Sequence, residues 1–154
     1  MKFFSGVDAN YAPLMMSLGF NWRTEQGELI NNLYRYLAEK GINCARVRLW
    51  VGEEGPSRFN YATSVMRMAH GADMGIYLVI FLSEGWADLY KQPAPKAWET
   101  LSIEKKTEVV KVYTTDVIKR IVHMGFRPML YQVGNEIDYG ICGIFASDKK
   151  RRKN

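Results

Sequence analysis

Two kinds of hydrophobic pattern alternate along this chain. In three stretches the apolar residues recur every three or four positions, as they do on one side of an α-helix. The predicted helices are 25–40, 60–74 and 103–124. Short runs of strand length separate them, and the predicted strands are 3–8, 43–51, 76–82 and 129–134. The run at 76–82 is apolar almost throughout, which is typical of a strand that is buried on both faces.

Each predicted helix is followed by a glycine, an apolar residue and a strand. The three junctions are Gly41-Ile42, Gly75-Ile76 and Gly125-Phe126. Glycine readily adopts the left-handed conformation that ends many helices, so each glycine is predicted to close the helix before it. The resulting βαβαβαβ order indicates a parallel sheet with helices packed outside. Both an open doubly wound sheet and part of a (β/α)8 barrel have this order.

The second predicted strand has two unlike faces, because strand side chains alternate in direction. One face is apolar and suits packing on helices: Ala45, Val47, Leu49 and Val51. The other carries two guanidiniums and an indole: Cys44, Arg46, Arg48 and Trp50. A face that becomes polar towards the carboxyl end of a strand favours a barrel, where binding sites gather at that end. Arginines held by internal carboxylates would explain the pattern too, without excluding a site.

The predicted loop at 83–98 is long and rich in residues that suit a sugar. Tryptophan faces can stack on the C–H faces of sugars, and Asp and Lys can bond hydroxyls; the candidates are Trp86, Asp88, Lys91 and Trp98. Long loops after barrel strands often carry binding residues. Alternatively, Trp86 and Trp98 pin the loop to the body of the protein.

An amide and a carboxylic acid, Asn135 and Glu136, directly follow the fourth predicted strand. At the carboxyl end of a barrel strand, such an acid can protonate the leaving oxygen of a glycoside while the amide holds a sugar hydroxyl. Taken alone, this dipeptide is more often an exposed turn.

Together these residues resemble glycoside hydrolase family 53, the endo-β-1,4-galactanases (arabinogalactan endo-β-1,4-galactosidases). The motifs that carry the resemblance are Gly6-Val7-Asp8, Gly41-Ile42-Asn43, Arg46-Val47-Arg48-Leu49-Trp50-Val51, Trp86-Ala87-Asp88, Lys91-Gln92, Pro95-Lys96-Ala97-Trp98 and Gln132-Val133-Gly134-Asn135-Glu136-Ile137. The resemblance implies an α/β fold of the TIM (β/α)8 barrel type. It therefore favours the barrel over the open sheet.

The resemblance also implies roles for particular residues. Glu136 would be the general acid/base of a retaining enzyme that hydrolyses β-1,4-galactan or arabinogalactan. The implied substrate-binding residues are Asn135, Arg46, Arg48, Trp50, Trp86, Asp88, Lys91 and Trp98. No cofactor is expected. No metal is expected either, because His70 and His123 lack the spacing of ligands to a common ion.

The chain departs from the family pattern in its third strand and in its length. Val79 and Phe81 stand where the family usually has an inward Asp and His, and Asp138 and Tyr139 follow where it usually has two Asn. A complete barrel needs about 250 residues, and this chain has 154. The family's nucleophile lies on the seventh strand, beyond the four strands predicted here. The expected architecture is therefore half of a barrel, four parallel strands with outer helices.

Two functional hypotheses follow. A half barrel should expose two strand edges and its apolar inner face, so association is expected. In the first hypothesis, a complementary half-barrel chain supplies the nucleophile. In the second, the chain is a non-catalytic, self-associating half barrel with at most weak glycan binding. A two-fold homodimer would place the second Glu136 at the eighth-strand position, too far across the barrel for retaining chemistry. A homodimer is therefore expected to be inactive or nearly so on galactan.

The net charge of +5 arises at the C-terminus, where residues 149–153 contribute five positive charges. Without them, 21 − 5 = 16 basic residues balance 16 acidic ones. We therefore predict a domain at 1–148 and a basic tail at 149–154, with no nucleic-acid-binding face. The sequence contains no run of 18 apolar residues, so no membrane span is predicted. The start has no signal-peptide pattern, so the location is unknown: cytoplasmic by default, secreted if a leader has been removed.

Overall fold

A parallel four-stranded sheet lies at the centre of the protein, in a computed structural model that describes residues 3–146. In chain order the elements are β1 (Gly6–Val7), α1 (Ala12–Ser17), β2 (Trp22–Arg23), β3 (Leu29–Ile30), α2 (Leu33–Glu39), β4 (Cys44–Leu49), α3 (Phe59–Gly71), β5 (Gly75–Ile80), a 3₁₀ turn (Lys96–Trp98), α4 (Ile103–His123), β6 (Leu130–Val133), β7 (Gly140–Ile141) and β8 (Ile144–Phe145). The sheet order is β1-β4-β5-β6. The prediction of four parallel strands with outer helices is confirmed.

The first predicted helix, 25–40, is wrong in its first half. Residues 22–30 instead form an antiparallel hairpin of β2 and β3. Its turn is closed by the Gly27 N–H, which donates to the Thr24 carbonyl at 2.9 Å, and Gly27 has a φ of +84° that a helix does not allow. The helix begins only at Leu33, where the Asn32 side chain accepts the Arg35 N–H at 3.0 Å and caps the first turn.

Two of the three predicted helix-closing glycines act as expected. Gly41 and Gly125 follow α2 and α4 with φ of +94° and +90°. The prediction is wrong for Gly75, because Asp73 takes the left-handed conformation after α3, with a φ of +59°. Gly75 begins β5 instead. There an added Cβ would lie 2.5 Å from the Met129 sulfur, so the close approach of β6 explains the glycine.

The main core lies between the outer face of the sheet and the helices. The apolar face of the second predicted strand supplies Ala45, Val47 and Leu49, which are almost fully buried as expected. Neighbouring strand β5 adds Leu78 and Ile80, and the helices cover this layer with residues that include Ala62, Val65 and Met66 of α3 and Val117 and Ile121 of α4. This packing makes the sheet a rigid support for the groups at its carboxyl end.

A second, smaller cluster covers the inner face of the sheet. We expected this apolar face to be exposed, and for Val79 and Phe81 that expectation is wrong, since both side chains are 0% exposed. Ala87, from the loop after β5, is buried with them, while Trp50 and Tyr77 pack against the group. The loop folds back over the strand ends and so removes the inner apolar surface from water.

Both edges of the sheet carry exposed apolar side chains. Phe3 and Phe4, just before β1, are 82% and 50% exposed. On β6, Leu130, Tyr131 and Val133 are each exposed by more than two fifths. No helix of the described residues is both long and apolar enough to cross a membrane.

The β7–β8 hairpin closes the described part of the chain against the body. Cys142, in its turn, is buried, as is Cys44 in β4, and both are free thiols. Burial raises the pKa of the Cys142 thiol to about 11. The Lys106 ammonium of α4 donates to the Cys142 carbonyl at 3.2 Å, which fastens the hairpin to that helix. The predicted basic tail, 149–154, lies outside the described residues.

Candidate active site

A carboxylate and two guanidiniums meet where β1 and β4 end. The register pairs Gly6 with Cys44, so Asp8 continues along the strand beside Arg46 and Arg48. Asp8 binds the Arg46 guanidinium at 2.8 Å through Oδ2 and the Arg48 guanidinium at 3.0 Å through Oδ1. Both arginines are thus held by an internal carboxylate, which was the alternative that the sequence left open for them.

Asn10 completes this cluster and is itself 1% exposed. Its Nδ2 donates to Asp8 Oδ1 and to the Arg46 carbonyl, both at 2.7 Å. Its Oδ1 accepts the Arg48 N–H at 2.9 Å. The Asn10 side chain therefore joins the loop after β1 to β4, with both its donor and its acceptor group hydrogen-bonded.

The pKa of Asp8 lies below its ordinary value. Burial raises this pKa, but the hydrogen bond from Asn10 and the positive charges of Arg48 and Arg46 together outweigh that effect. Asp8 is thus held as a carboxylate that pairs with two cations, in a site where Arg48 is 7% exposed.

The predicted acid and amide stand at the carboxyl end of β6. Glu136 is exposed, and its Oε2 accepts the Leu89 N–H at 3.0 Å. Asn135 is buried, donates from Nδ2 to the Ala87 carbonyl at 2.9 Å, and lies 3.5 Å from Glu136 Oε1. Its Oδ1 accepts from the Arg46 guanidinium at 2.7 Å. These contacts link the ends of β4 and β6 with the loop after β5.

The backbone at Glu136 has a φ of +49°, an unusual conformation for a non-glycine residue. Gln92, which is 5% exposed, stabilises this turn. Its Nε2 donates to the carbonyls of Asp88 and Asn135 at 2.7 Å and of Glu136 at 3.1 Å. The direction of the Glu136 side chain therefore depends on a buried glutamine in another loop.

Asp88 organises the loop itself. Its Oδ1 accepts the N–H groups of Tyr90 and Lys91 at 3.0 and 2.9 Å, and its Oδ2 accepts the Trp86 indole N–H at 3.2 Å. The hydrogen bond from the Tyr90 N–H is the main cause that lowers the pKa of Asp88. The Lys91 side chain is exposed. Asp88 thus accepts three hydrogen bonds from the protein, whereas the sequence suggested that it binds sugar hydroxyls.

The aromatic residues at the carboxyl end surround Arg48. Its guanidinium carbon lies 4.6 Å from the ring centre of Tyr11 and 5.6 Å from that of Trp86. Trp86 is 42% exposed. Trp50 packs edge-on against Phe81, with ring centres 6.4 Å apart, and so forms part of the floor.

Trp98 lies elsewhere. It is 7% exposed, belongs to the helix-side core and contacts Tyr113 of α4 edge-on at 5.5 Å. Trp98 therefore holds the loop against the body of the protein, which was the alternative to sugar binding that the sequence left open.

The structure thus gathers most predicted site residues at one end of the sheet and adds others. The predicted residues found there are Glu136, Asn135, Arg46, Arg48, Trp50, Trp86 and Asp88. The structure adds Asp8, Asn10, Tyr11 and Gln92, whose contacts here the sequence did not predict. The polar pair Asp8 and Asn10, directly after a strand, was the available signal. Among the described residues, no group of three or more His, Cys, Asp and Glu could hold a metal ion.

Comparisons with known proteins identify the family of this chain. The model of glycosyl hydrolase family 53 matches residues 4–152. The chain belongs to this family. Family 53 relatives include an arabinogalactan endo-beta-1,4-galactanase of Thermothelomyces thermophilus, 27% identical over 139 residues. Another, of Cellvibrio japonicus, is 32% identical over 142 residues. A structure of fungal beta-1,4-galactanases superposes with a TM-score of 0.86 at 27% identity.

These matches cover most of this chain but less than half of each relative. The chain is covered to 90% by both sequence relatives but spans only 41% and 37% of their lengths. In the fungal structure the figures are 96% of this chain and 44% of the other. This family 53 chain thus has the architecture of half a (β/α)8 barrel, as predicted from the sequence.

Proposed function

We propose that this chain provides the acid/base half of a retaining endo-β-1,4-galactanase acting on β-1,4-galactan or arabinogalactan. The observation that carries the proposal is the placement of Glu136: exposed at the carboxyl end of β6, with its Oε2 held by the Leu89 N–H at 3.0 Å. Glycosidase carboxyls occupy such positions in barrels. The names of the sequence relatives support galactan as the substrate class.

In this proposal Glu136 first protonates the oxygen of the leaving sugar and then, as a carboxylate, activates the water that releases the product. Asn135 lies beside it, with its Nδ2 3.5 Å from Glu136 Oε1, where it helps to orient the acid. Trp86 offers a partly exposed indole, and Arg46 fixes the Asn135 amide. Trp50 supports the floor, and Lys91 contributes an exposed ammonium from the loop that Asp88 organises.

The nucleophile is proposed to come from a second, complementary half-barrel chain. Retaining chemistry needs two carboxyl groups about 5–5.5 Å apart. Asp8 is engaged by two arginines, and Asp88 by three donors from its own loop. Glu84 accepts the Lys96 N–H at 3.3 Å. These three carboxylates therefore serve the scaffold, which supports a second reactive group that comes from outside the described residues.

The test measures reducing-sugar release from linear β-1,4-galactan. The purified chain is expected to release none. Fused to the remaining strands of one of the fungal galactanases, it is expected to become active, and Glu136→Gln in the fusion should lower kcat by at least about 10²-fold, the smaller end of a general acid/base contribution. Asp138→Asn, an exposed neighbour of Glu136, is the matched control and should retain activity.

A second function is favoured by the exposed apolar residues of β6, which support a non-catalytic half barrel that associates with itself. An inactive fusion with intact folding would favour this function over the first. Release by the purified wild-type chain, lost in Glu136→Gln, would contradict the need for a partner.

A further inference from the structure

The two outer strands of the central sheet each have one side without a strand partner among residues 3–146. The sheet order β1-β4-β5-β6 leaves β1 at one edge and β6 at the other. Exposed apolar side chains accompany both edges: Phe4, just before β1, is 50% exposed, and Leu130 and Val133 of β6 are 47% and 41% exposed. Unpaired backbone groups beside an apolar surface favour pairing with a further strand.

The curvature of the sheet limits which strand can pair there. The four parallel strands have the arrangement of half a (β/α)8 barrel, so a continuation must curve in the same sense. A second copy, related by a two-fold axis along the barrel, would add four strands that run in the same direction. The β6 strand of each copy then meets the β1 strand of the other, and this head-to-tail contact closes into a ring of eight strands.

The register of that contact follows from the geometry of the barrel. A line of paired residues leads from Val7 across β4 and β5 to Met129, one residue before β6. In a barrel of this type such a line returns to its first strand displaced by about eight residues, and half of the barrel accounts for about four. Met129 is therefore level with Phe3 of the second copy, and Val133 is level with its Val7. The opposite displacement would place β6 beside the helix α1.

The outer face of the sheet agrees with this register. Val7 is paired with Ala45 and Val133 is paired with Ile80, and both partners belong to the core between the sheet and the helices. Val7 and Val133 therefore lie on the same face, as two residues that are level in parallel strands must. A slip of one residue would place them on opposite faces.

The inner face agrees as well. Leu130 is paired with Tyr77, which packs against the inner cluster. In the same register Leu130 lies beside Phe4 of the second copy, which shares the inner face of β1 with Asp8 because strand side chains alternate. Two apolar side chains that are each about half exposed in one copy thus cover each other in the pair.

We propose that two copies of this chain close an eight-stranded parallel barrel, in which β6 of each copy pairs with β1 of the other and Val133 lies level with Val7. This inference rests on the second function above, self-association, and goes beyond it by naming the paired strands and their register. The closed pair leaves no free strand edge, which explains why association stops at two copies.

The experiment is cross-linking of the full chain with a short bismaleimide, which joins thiols on neighbouring strands about 5 Å apart. The double variant Val7→Cys/Val133→Cys is expected to give a product of twice the 17.7 kDa of one chain. The matched control is Phe3→Cys/Val133→Cys, whose first thiol lies on the same strand and face but about 13 Å from Val7. Val133→Cys alone is the second control, because its two thiols lie on opposite sides of the barrel. The wild-type thiols, Cys44 and Cys142, are buried and should not react.

A covalent dimer that is confined to Val7→Cys/Val133→Cys would support the closed barrel. Equal cross-linking of Val133→Cys alone would overturn it, since β6 would then pair with β6. Equal cross-linking of the Phe3→Cys/Val133→Cys control would overturn the register, and a ladder of masses above the dimer would overturn closure.

Sedimentation velocity of the wild-type chain separates this inference from the function on which it rests. If the chain associates but Val7→Cys/Val133→Cys gives no covalent dimer, self-association stands and only the barrel falls. If the chain stays monomeric, both fall together, whereas the fusion assay still tests the acid/base role of Glu136.

Discussion

At the scale of single residues, the candidate site is a network of polar groups that hydrogen-bond to one another. Arg48 is 7% exposed, and a guanidinium removed from water needs a charged partner. Asp8 supplies that partner and also binds Arg46, which in turn holds Asn135. Because each group orients the next, a change at Asp8 should reach the turn that carries Glu136.

We predict that Asp8→Asn lowers the free energy of unfolding at pH 7 by about 1–3 kcal/mol, because Arg48 loses its charged partner. The pKa of Asp8 in the folded chain lies below its unfolded value of about 3.9. Its contribution is therefore present above the unfolded pKa and is lost as the pH falls through the folded pKa. Urea unfolding of both proteins from pH 7 downward should show the difference shrinking below about pH 4.

The control for this measurement is Asp73→Asn. Asp73 pairs with Arg35 at 3.0 Å, but their side chains are 85% and 45% exposed, and such surface pairs contribute about 0–1 kcal/mol. A difference for Asp8→Asn that does not change with pH would contradict the ionic explanation.

Gln92 offers a second residue-level prediction. Gln92→Met keeps the length of the side chain but removes its donor, so that three carbonyls lose a partner. We expect the free energy of unfolding to fall by about 1–3 kcal/mol, and amide hydrogen exchange at Asn135 and Glu136 to become faster. Gln26→Met, at an exposed position in the hairpin turn, is the matched control. Unchanged exchange in Gln92→Met would show that Gln92 does not hold the turn.

At the scale of elements, the end of β6 determines where the acid points. Gly134 has a φ of +82°, and a Cβ at this position would lie 2.5 Å from the Ile137 methyl Cγ2. Glu136 follows with a φ of +49°. The strand thus ends in a tight turn of left-handed residues, which exposes Glu136 and buries Asn135.

We predict that Gly134→Ala is more destabilising than Gly27→Ala. Both glycines have positive φ, so both changes add strain of about 1–3 kcal/mol. Only Gly134 adds a steric clash as well, since nothing lies within 4 Å of a Cβ at Gly27. Denaturant unfolding should show the larger loss for Gly134→Ala, and equal losses would mean that Ile137 moves aside freely.

At the scale of the whole molecule, the sheet has two edges and apolar side chains stand beside both. Tyr131 and Val133 are paired with Leu78 and Ile80, which face the helices. They therefore point to the helix side, yet each is 41% exposed. Since β6 is also the last strand of the sheet, its free edge favours pairing with another sheet.

We predict that the purified chain associates and that Val133→Lys weakens the association, since a lysine on an edge strand opposes pairing. Sedimentation velocity should show species heavier than the 17.7 kDa of one chain, shifted towards monomer in the variant. Leu29→Lys, which changes an exposed leucine of the separate hairpin, is the matched control. A wild-type chain that stays monomeric over a wide concentration range would contradict this prediction.

The alternating pattern predicted the sheet well because burial on both faces leaves a strong signal. The strand at β5 and the long helix α4 lie within a few residues of their predicted bounds. The hairpin of β2 and β3 was missed, because Leu29, Ile30 and Leu33 are spaced as on a helix while a turn at Gly27 ends the pattern locally. Short elements such as these are determined by turns and tertiary contacts, which the spacing of apolar residues does not reveal.

The sequence by itself determined the parallel α/β order, the two faces of β4, and the position of Asn135 and Glu136 directly after a strand. These follow from periodicity and chain order, which are local properties. Only the tertiary structure decided that Asp8 pairs with both arginines, that Gln92 clamps the turn at Glu136, and that Trp98 belongs to the core. Such contacts join residues that are far apart along the chain, so their partners become known only when the sheet register and the folded loop bring them within bonding distance.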